Sequence, residues 1–139
     1  MFLFFNSKVN PNTSDKLSNA SEVKLKRDLG GHYRAEAFIN GVKTTVLVDT
    51  GATDVAISRS FAENLGIQSN HAIRTQTANG ATVGYMTRLK SIKLGGIVEN
   101  NVAATIVNDL GEDMLLGMSF LNRMDVRLHQ GTMTIKSSE

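Results

Sequence analysis

Asp49-Thr50-Gly51 is the place in this chain where residue types and spacing could do chemistry. The acid follows directly on the apolar run Val46-Leu47-Val48, with a hydroxyl beside it and then a residue without side-chain bulk. A carboxylate delivered by a buried strand costs free energy unless it is hydrogen-bonded or put to use. Gly51 lets the backbone turn sharply and bring N–H groups to the carboxylate oxygens, and the Thr50 hydroxyl stands where it can brace the loop. Such a design holds a carboxylate rigidly, although the bare tripeptide is common and also suits a solvated turn after a strand.

Other chemistry is poorly supplied. His32, His71 and His129 stand far apart with no partner at helical spacing, so no metal site is expected, and no cofactor is implied. The absence of Cys removes thiol nucleophiles, disulfides and Cys-based metal sites. The formal charge of +2 is concentrated before Leu29: residues 1–28 hold five Lys/Arg against three Asp/Glu, and residues 29–139 hold ten against ten. A neutral body without a basic run is a poor footprint for nucleic acid, whose binding rests on clustered phosphate contacts. Lys24, Lys26 and Arg27 read as a solvated junction.

The elements that must position Asp49 are mostly strands. Tyr33, Ala35, Ala37 and Ile39 alternate with polar residues, and Asn40-Gly41 is the dipeptide of a type I′ hairpin turn, so Val42 to Val48 returns as the strand that ends at the acid. Val55 to Ile57 continues as a short strand. Ser60 with Glu63 has capping-box spacing for a helix over Phe61 to Leu65, closed by Gly66. Residues 72–94 read as long strands interrupted at Asn79-Gly80, and Ile97 to Val107 as another. The apolar run Met114-Leu115-Leu116 ends in Gly117 ahead of one or two helical turns over Met118 to Arg123, and a last strand pair turns at Gln130-Gly131. Two units of apolar strand, glycine turn and short helix thus recur, around Asp49 and around Gly117. With 139 residues and no βαβ alternation, one compact β-barrel or sandwich-like domain is expected over residues 29–139. Residues 1–28, rich in Asn, Ser, Lys and Asp and holding the only proline, read as a flexible linker. Met1 to Phe5 is apolar but far short of the roughly 20 residues of a membrane span; it reads either as a loose end or as the stump of a longer apolar segment.

Leu47-Val48-Asp49-Thr50-Gly51-Ala52-Thr53, the glycine-tipped hairpin at Thr77-Ala78-Asn79-Gly80, and Leu115-Leu116-Gly117 before a short helix resemble, in that order, the three signatures of retropepsin-like aspartic proteases of clan AA. The resemblance spans about residues 30–136 and is nearest to the single-domain bacterial branch of alphaproteobacteria and rickettsiae. It implies an all-β acid-protease barrel with one or two short helices. It implies that Asp49 is catalytic, that Thr50 and Gly51 fix its loop, and that Ala52, Thr53 and Asp54 meet substrate. Ala78, Asn79 and Gly80 would form a flap tip over a peptide or protein substrate, and Leu115 would border a side-chain pocket. Such hydrolysis needs two carboxylates sharing one proton. None of the other twelve acids is followed by Thr-Gly or Ser-Gly, so the second Asp49 would come from another copy in a homodimer. Membrane anchoring through a segment before residue 1 and location in the bacterial cell envelope are further expectations from that branch, and self-cleavage before Gly30 is expected because the polar segment Asn6 to Asp28 reads as extended and poor in packing residues.

The chain departs from viral relatives at Thr53 and Met118, where they commonly pair an acid with an arginine. Both ends of the pair are missing together, as expected if an uncharged contact replaces it, because a lone buried charge is costly. Two other readings compete. Asp-Thr-Gly-x-Thr also resembles phosphate-handling loops of actin-like ATPases and P-type pumps, but those folds need longer chains and further motifs. A non-catalytic dimerisation or peptide-binding module on the same fold is the alternative, against which the intact Asp49-Thr50-Gly51 weighs.

Overall fold

The computed structural model describes residues 10–17, 21–77, 80–108, 110–111 and 113–138. Its strands are β1 (Glu22–Lys26), β2 (Arg34–Ile39), β3 (Val42–Val48), β4 (Val55–Ser58), β5 (Ala72–Thr77), β6 (Gly80–Leu94), β7 (Ile97–Val107), β8 (Met114–Leu116), β9 (Met124–His129) and β10 (Thr132–Ser137), with helices α1 (Arg59–Asn64) and α2 (Met118–Leu121). The fold is all-β with two short helices, as the motifs imply.

Alternation builds the barrel. On β2 every second residue from Ala35 to Ile39 is buried, and Val46, Val55, Ile57, Leu89, Ile92, Leu94, Leu116 and Phe120 fill the same interior. The larger sheet runs β2-β3-β8-β4-β7-β6-β5, and β2 pairs again with β6 at Phe38↔Lys93 and Ile39↔Ile92, closing six strands into a barrel with β5 outside. Asn40 secures the closure: its N–H donates to the Ser91 carbonyl, and its side-chain oxygen accepts from the Lys90 and Ser91 N–H groups. Asn40 and Gly41 have φ of 51° and 82°, and Gln130 and Gly131 49° and 80°, so both expected hairpin turns take the left-handed conformation that type I′ requires.

Helix α1 starts earlier than its capping-box spacing suggests. The cap is Ser58, not Ser60: at φ −73°, ψ 158° its hydroxyl accepts from the Phe61 N–H, so β4 runs straight into the helix. Gly66, at φ 75°, ends it with Gly66 N–H to Glu63 and Ile67 N–H to Ala62.

The expected flexible linker is corrected where residues 10–28 are described. β1 pairs with β10, which pairs with β9, in a separate three-stranded antiparallel sheet. Val23 and Leu25 are wholly buried there, and Leu17 joins the core. Asn12 is the rivet: its amide donates to the Lys26 and Arg34 carbonyls, its oxygen accepts from the Lys26 N–H, and its own carbonyl accepts from the Glu36 N–H. A polar composition conceals this because backbone groups of β1 and β2 supply the partners. Asn12→Ala should orphan these buried groups and cost about 2–4 kcal/mol, read as a lowered urea midpoint with unchanged m-value; a loss under about 0.5 kcal/mol would mean the segment does not hold the fold.

Candidate functional site

β3 and β4 are consecutive in the chain but not neighbours in the sheet, because β8 lies between them. It runs parallel to β3, at Val46↔Met114 through Val48↔Leu116, and meets β4 at Ala56↔Leu115. The chain leaving β3 must therefore cross the end of β8, and residues 49–54 make that crossing. The Asp49 N–H donates to the Leu116 carbonyl (3.1 Å), the Ala52 N–H to the Asp49 carbonyl (3.2 Å) and the Met118 N–H to the Ala52 carbonyl (2.8 Å). Gly117 lies beneath. A Cβ there would stand 2.2 Å from the Asp54 carbonyl oxygen and 2.7 Å from that of Ala52, so the crossing tolerates only glycine.

Within this crossing Asp49 is half-buried, and its Oδ1 accepts from the Gly51 N–H at 2.9 Å. Thr50 and Gly51 are exposed. The brace expected from the Thr50 hydroxyl is not made within the chain: among the described residues no hydrogen bond to it is found, because the residue faces outward. Ala52 is half-buried, Thr53 exposed, and Asp54 half-buried with Oδ2 accepting from the buried Thr105 hydroxyl at 3.4 Å. Leu115 is half-buried beside Leu47, its partner in the β3–β8 register. Gly80 begins β6 opposite Thr77, at the end of the β5–β6 hairpin; Ala78 and Asn79 lie outside the described residues. The structure thus gathers Asp49 to Asp54 with Leu115 on one end of the β3–β8–β4 array.

Two supports have no signal in the sequence. The Ser119 hydroxyl on α2 donates to the Ala103 carbonyl (2.7 Å) and accepts from the Val55 N–H (2.9 Å), tying the end of the crossing to β7. Arg123 bolts the end of α2 to β7 through Glu99 and the Asn100 and Asn101 carbonyls. On the other flank the Val48 N–H donates to the Tyr33 carbonyl, and Arg34 next to it holds two acids, Asp113 through Nε at 2.8 Å and Asp28 through Nη1. Burial pushes the Asp28 carboxyl up, but the His32 N–H, the Arg34 charge and the Gly30 N–H pull further the other way and leave it below its ordinary value. The Asp113 hydrogen bond, against the cost of burial, raises Arg34.

A shallow depression of about 380 Å³, lined by Phe38, Gly41, Ser91, Lys93 and Val98, lies at the opposite end of β2 from Arg34 and apart from Asp49. Among the described residues no three His, Asp or Glu are grouped to hold a metal ion, and no helix is long and apolar enough to cross a membrane.

Gly117→Ala should unfold the protein or cost at least about 3 kcal/mol, whereas Gly51→Ala, whose Cβ would meet only the movable Asp49 carboxylate at 3.2 Å, should cost about 1 kcal/mol or less; urea titration of both variants checks the contrast. Because the Asp28 carboxyl is lowered in the folded state, its contribution is complete above the unfolded carboxyl pKa of about 3.9 and is lost as the pH falls through the folded value. The stability gap between wild type and Asp28→Asn should therefore be constant from neutrality down to about pH 5 and narrow below pH 4; urea midpoints across that range measure it.

Residues 35–123 match the sequence profile of the family described as "gag-polyprotein putative aspartyl protease". A Sinorhizobium protein described as an uncharacterized protein in the cobV 5′ region is 35% identical over 109 residues, and an uncharacterized protein of Rickettsia prowazekii is 33% identical over 109. Each match covers 76% of this chain and 47% of the relative, so the chain spans about half the length of these curated relatives. The crystal structure of a retropepsin-like aspartic protease from Rickettsia conorii superposes with a TM-score of 0.74 at 30% identity, covering 84% of this chain and 90% of that one. The EIAV protease complexed with the inhibitor HBY-793 superposes with a TM-score of 0.57 at 19% identity, covering 68% and 88%, and speaks for the fold alone.

Proposed function

The chain belongs to the bacterial retropepsin-like aspartic proteases, and from that premise we propose that it is an endopeptidase whose active site is completed by two copies of Asp49 in a homodimer. The observation that carries the reading is the Asp49 carboxylate, oriented by the Gly51 N–H in a crossing that Gly117 permits. One chain supplies one such carboxylate, and the exposed Thr50 and Gly51 beside it are open to a second chain.

In the proposed reaction the two Asp49 carboxyls share one proton, one ionised and the other protonated, as like charges brought into one site would require. The ionised carboxylate takes a proton from water as the water oxygen bonds to the scissile carbonyl carbon, and the protonated one gives its proton to the carbonyl oxygen. The resulting diol collapses as the C–N bond breaks and the amine leaves with a proton. The Gly51 N–H keeps one carboxylate oxygen of each copy occupied and so leaves the other for water or substrate. Ala52, Thr53 and Asp54 from the crossing, Leu115 from β8 and the β5–β6 hairpin would border the peptide.

Self-processing belongs to the same proposal, with one restriction. Residues 22–26 are paired with β10, so a cut there requires β1 to leave its sheet. Anchoring in the cell envelope through a segment before residue 1 is likewise proposed, supported by the apolar Met1 to Phe5 and the family resemblance.

Asp49→Ala and Asp49→Asn should keep the fold, because the crossing is held by backbone hydrogen bonds that the carboxylate does not make, and reduce peptide cleavage to below about 1% of wild type, on the order of 10²-fold or more. Excess Asp49→Ala chains mixed into wild type should suppress its activity, and specific activity should fall on dilution. Full activity in either variant sinks the mechanism; concentration-independent activity of a sedimenting monomer sinks the dimer.

A further inference from the structure

In the wall beside Asp49 one guanidinium, that of Arg34, is shared by two carboxylates. Arg34 on β2, Leu47 on β3 and Leu115 on β8 stand in one row across three strands, through the pairs Arg34↔Leu47 and Leu47↔Leu115. All three are half-buried, whereas their neighbours Ala35, Val46, Met114 and Leu116 point into the core. Asp49 continues the alternation of β3 on the face of Leu47, and Asp113 precedes β8 on the face of Leu115. Asp113 therefore belongs to the same outer face as the candidate catalytic acid. By strand rise it lies level with Thr45, roughly 13 Å before Asp49, within the span of a few residues of an extended peptide.

Around Arg34 itself the charges among the described residues do not cancel. Asp28 has no exposed side-chain surface, and besides Arg34 it accepts from the Gly30 and His32 N–H groups, so it is a settled anion against the guanidinium. One guanidinium then faces two carboxylates. Asp113 is the partly open one, with 24% of its side chain exposed. Glu36, two residues along β2 on the same face, is a further acid whose Oε1 is taken by the Ser14 N–H, and Lys43, four residues before Leu47 on that face of β3, lies over the Phe38 ring. A charge in such a partly desolvated wall acts on an incoming group more strongly than one in open water.

We infer that Asp113 is a specificity-determining residue that selects a basic side chain, lysine or arginine, in the peptide substrate, with the Leu47–Leu115 surface covering the aliphatic stem of that side chain. The inference rests on the proposed endopeptidase activity. A lysine or arginine stem can lie on apolar surface while its head reaches a carboxylate. Arg34 acts as the positioning residue, fixing the Asp113 carboxylate through Nε while Asp28 fixes Arg34.

The test uses the full chain and peptides identical except at one position, which carries Lys, Arg, Gln, Leu or Glu in turn at each of the three sites on either side of the scissile bond. At one site kcat/KM for Lys and Arg should exceed that for Gln by about three- to tenfold at low salt, and Glu should be the poorest. The Lys-to-Gln ratio should shrink as ionic strength rises and should fall towards one in Asp113→Asn. Should that variant fail to fold, the salt dependence of the wild-type ratio decides by itself. Cleavage of all peptides with no site favouring Lys and Arg, or a preference insensitive to salt, overturns the inference and leaves the protease reading standing. Cleavage of none, by wild type that sediments as a dimer, overturns the reading itself.

Discussion

The passage of residues 49–54 over Gly117 is the constraint on which the rest of the site depends. β8 is inserted between two strands that follow one another in the chain, so the connection has to cross it at backbone contact distance. Three backbone hydrogen bonds hold that crossing, from Asp49 to Leu116, Ala52 to Asp49 and Met118 to Ala52. Backbone bonds carry no side-chain entropy, and they fix the Asp49 main chain before its carboxylate has any partner. The Gly51 N–H then orients the carboxylate from two residues away. A side chain at 117 would lift the crossing and undo all of this together.

Around the crossing the supports come from both flanks. The side towards β7 is held by the Ser119 hydroxyl, by the Thr105 hydroxyl on the Asp54 carboxylate, and by Arg123 on Glu99 and two β7 carbonyls. The side towards β2 is held by charge, through Arg34 between Asp113 and Asp28. Thr53 and Met118, where viral relatives commonly carry an ion pair, are uncharged, and Thr53 is exposed. Met118 engages the crossing through its backbone N–H, and its side chain packs against the core. No charge is needed there, and none is left unpaired.

The terminal regions follow a different plan from a barrel with loose ends. β1 and β10 pair with each other, and Asn12 binds the preceding segment to β1 and β2, so the described ends of the chain are used within the chain. The backbone groups of β1 and β10 that face each other are therefore not available to interleave with a second copy. The proposed dimer would then draw on the exposed Thr50–Gly51 turn and on the outer edges of β1 and β9, the two edge strands of the small sheet.

What the amino-acid sequence determined by itself was whatever rests on neighbours a few residues apart. The turns at Asn40-Gly41 and Gln130-Gly131 were legible because a positive φ is a local demand that few residue types meet. The alternation of β2 and β3, the acid at the end of an apolar run and the order of the three motifs were legible for the same reason. Local rules also misled where two satisfied them at once: Ser58 and Ser60 both precede a helical stretch, and only the extended backbone at the end of β4 makes Ser58 the cap. The tertiary structure alone decided that Asn12 and Leu17 are interior, that Ser119 holds Val55 across 64 positions, and that Arg34 meets Asp113 across 79. It also decided why residue 117 must be glycine, since its φ of −97° suits any residue and only the carbonyls of Ala52 and Asp54 forbid a side chain. The physical reason is common to these cases. A buried polar group or a close backbone approach is satisfied by whatever the fold brings alongside, and that neighbour's place in the chain leaves no periodic or compositional trace.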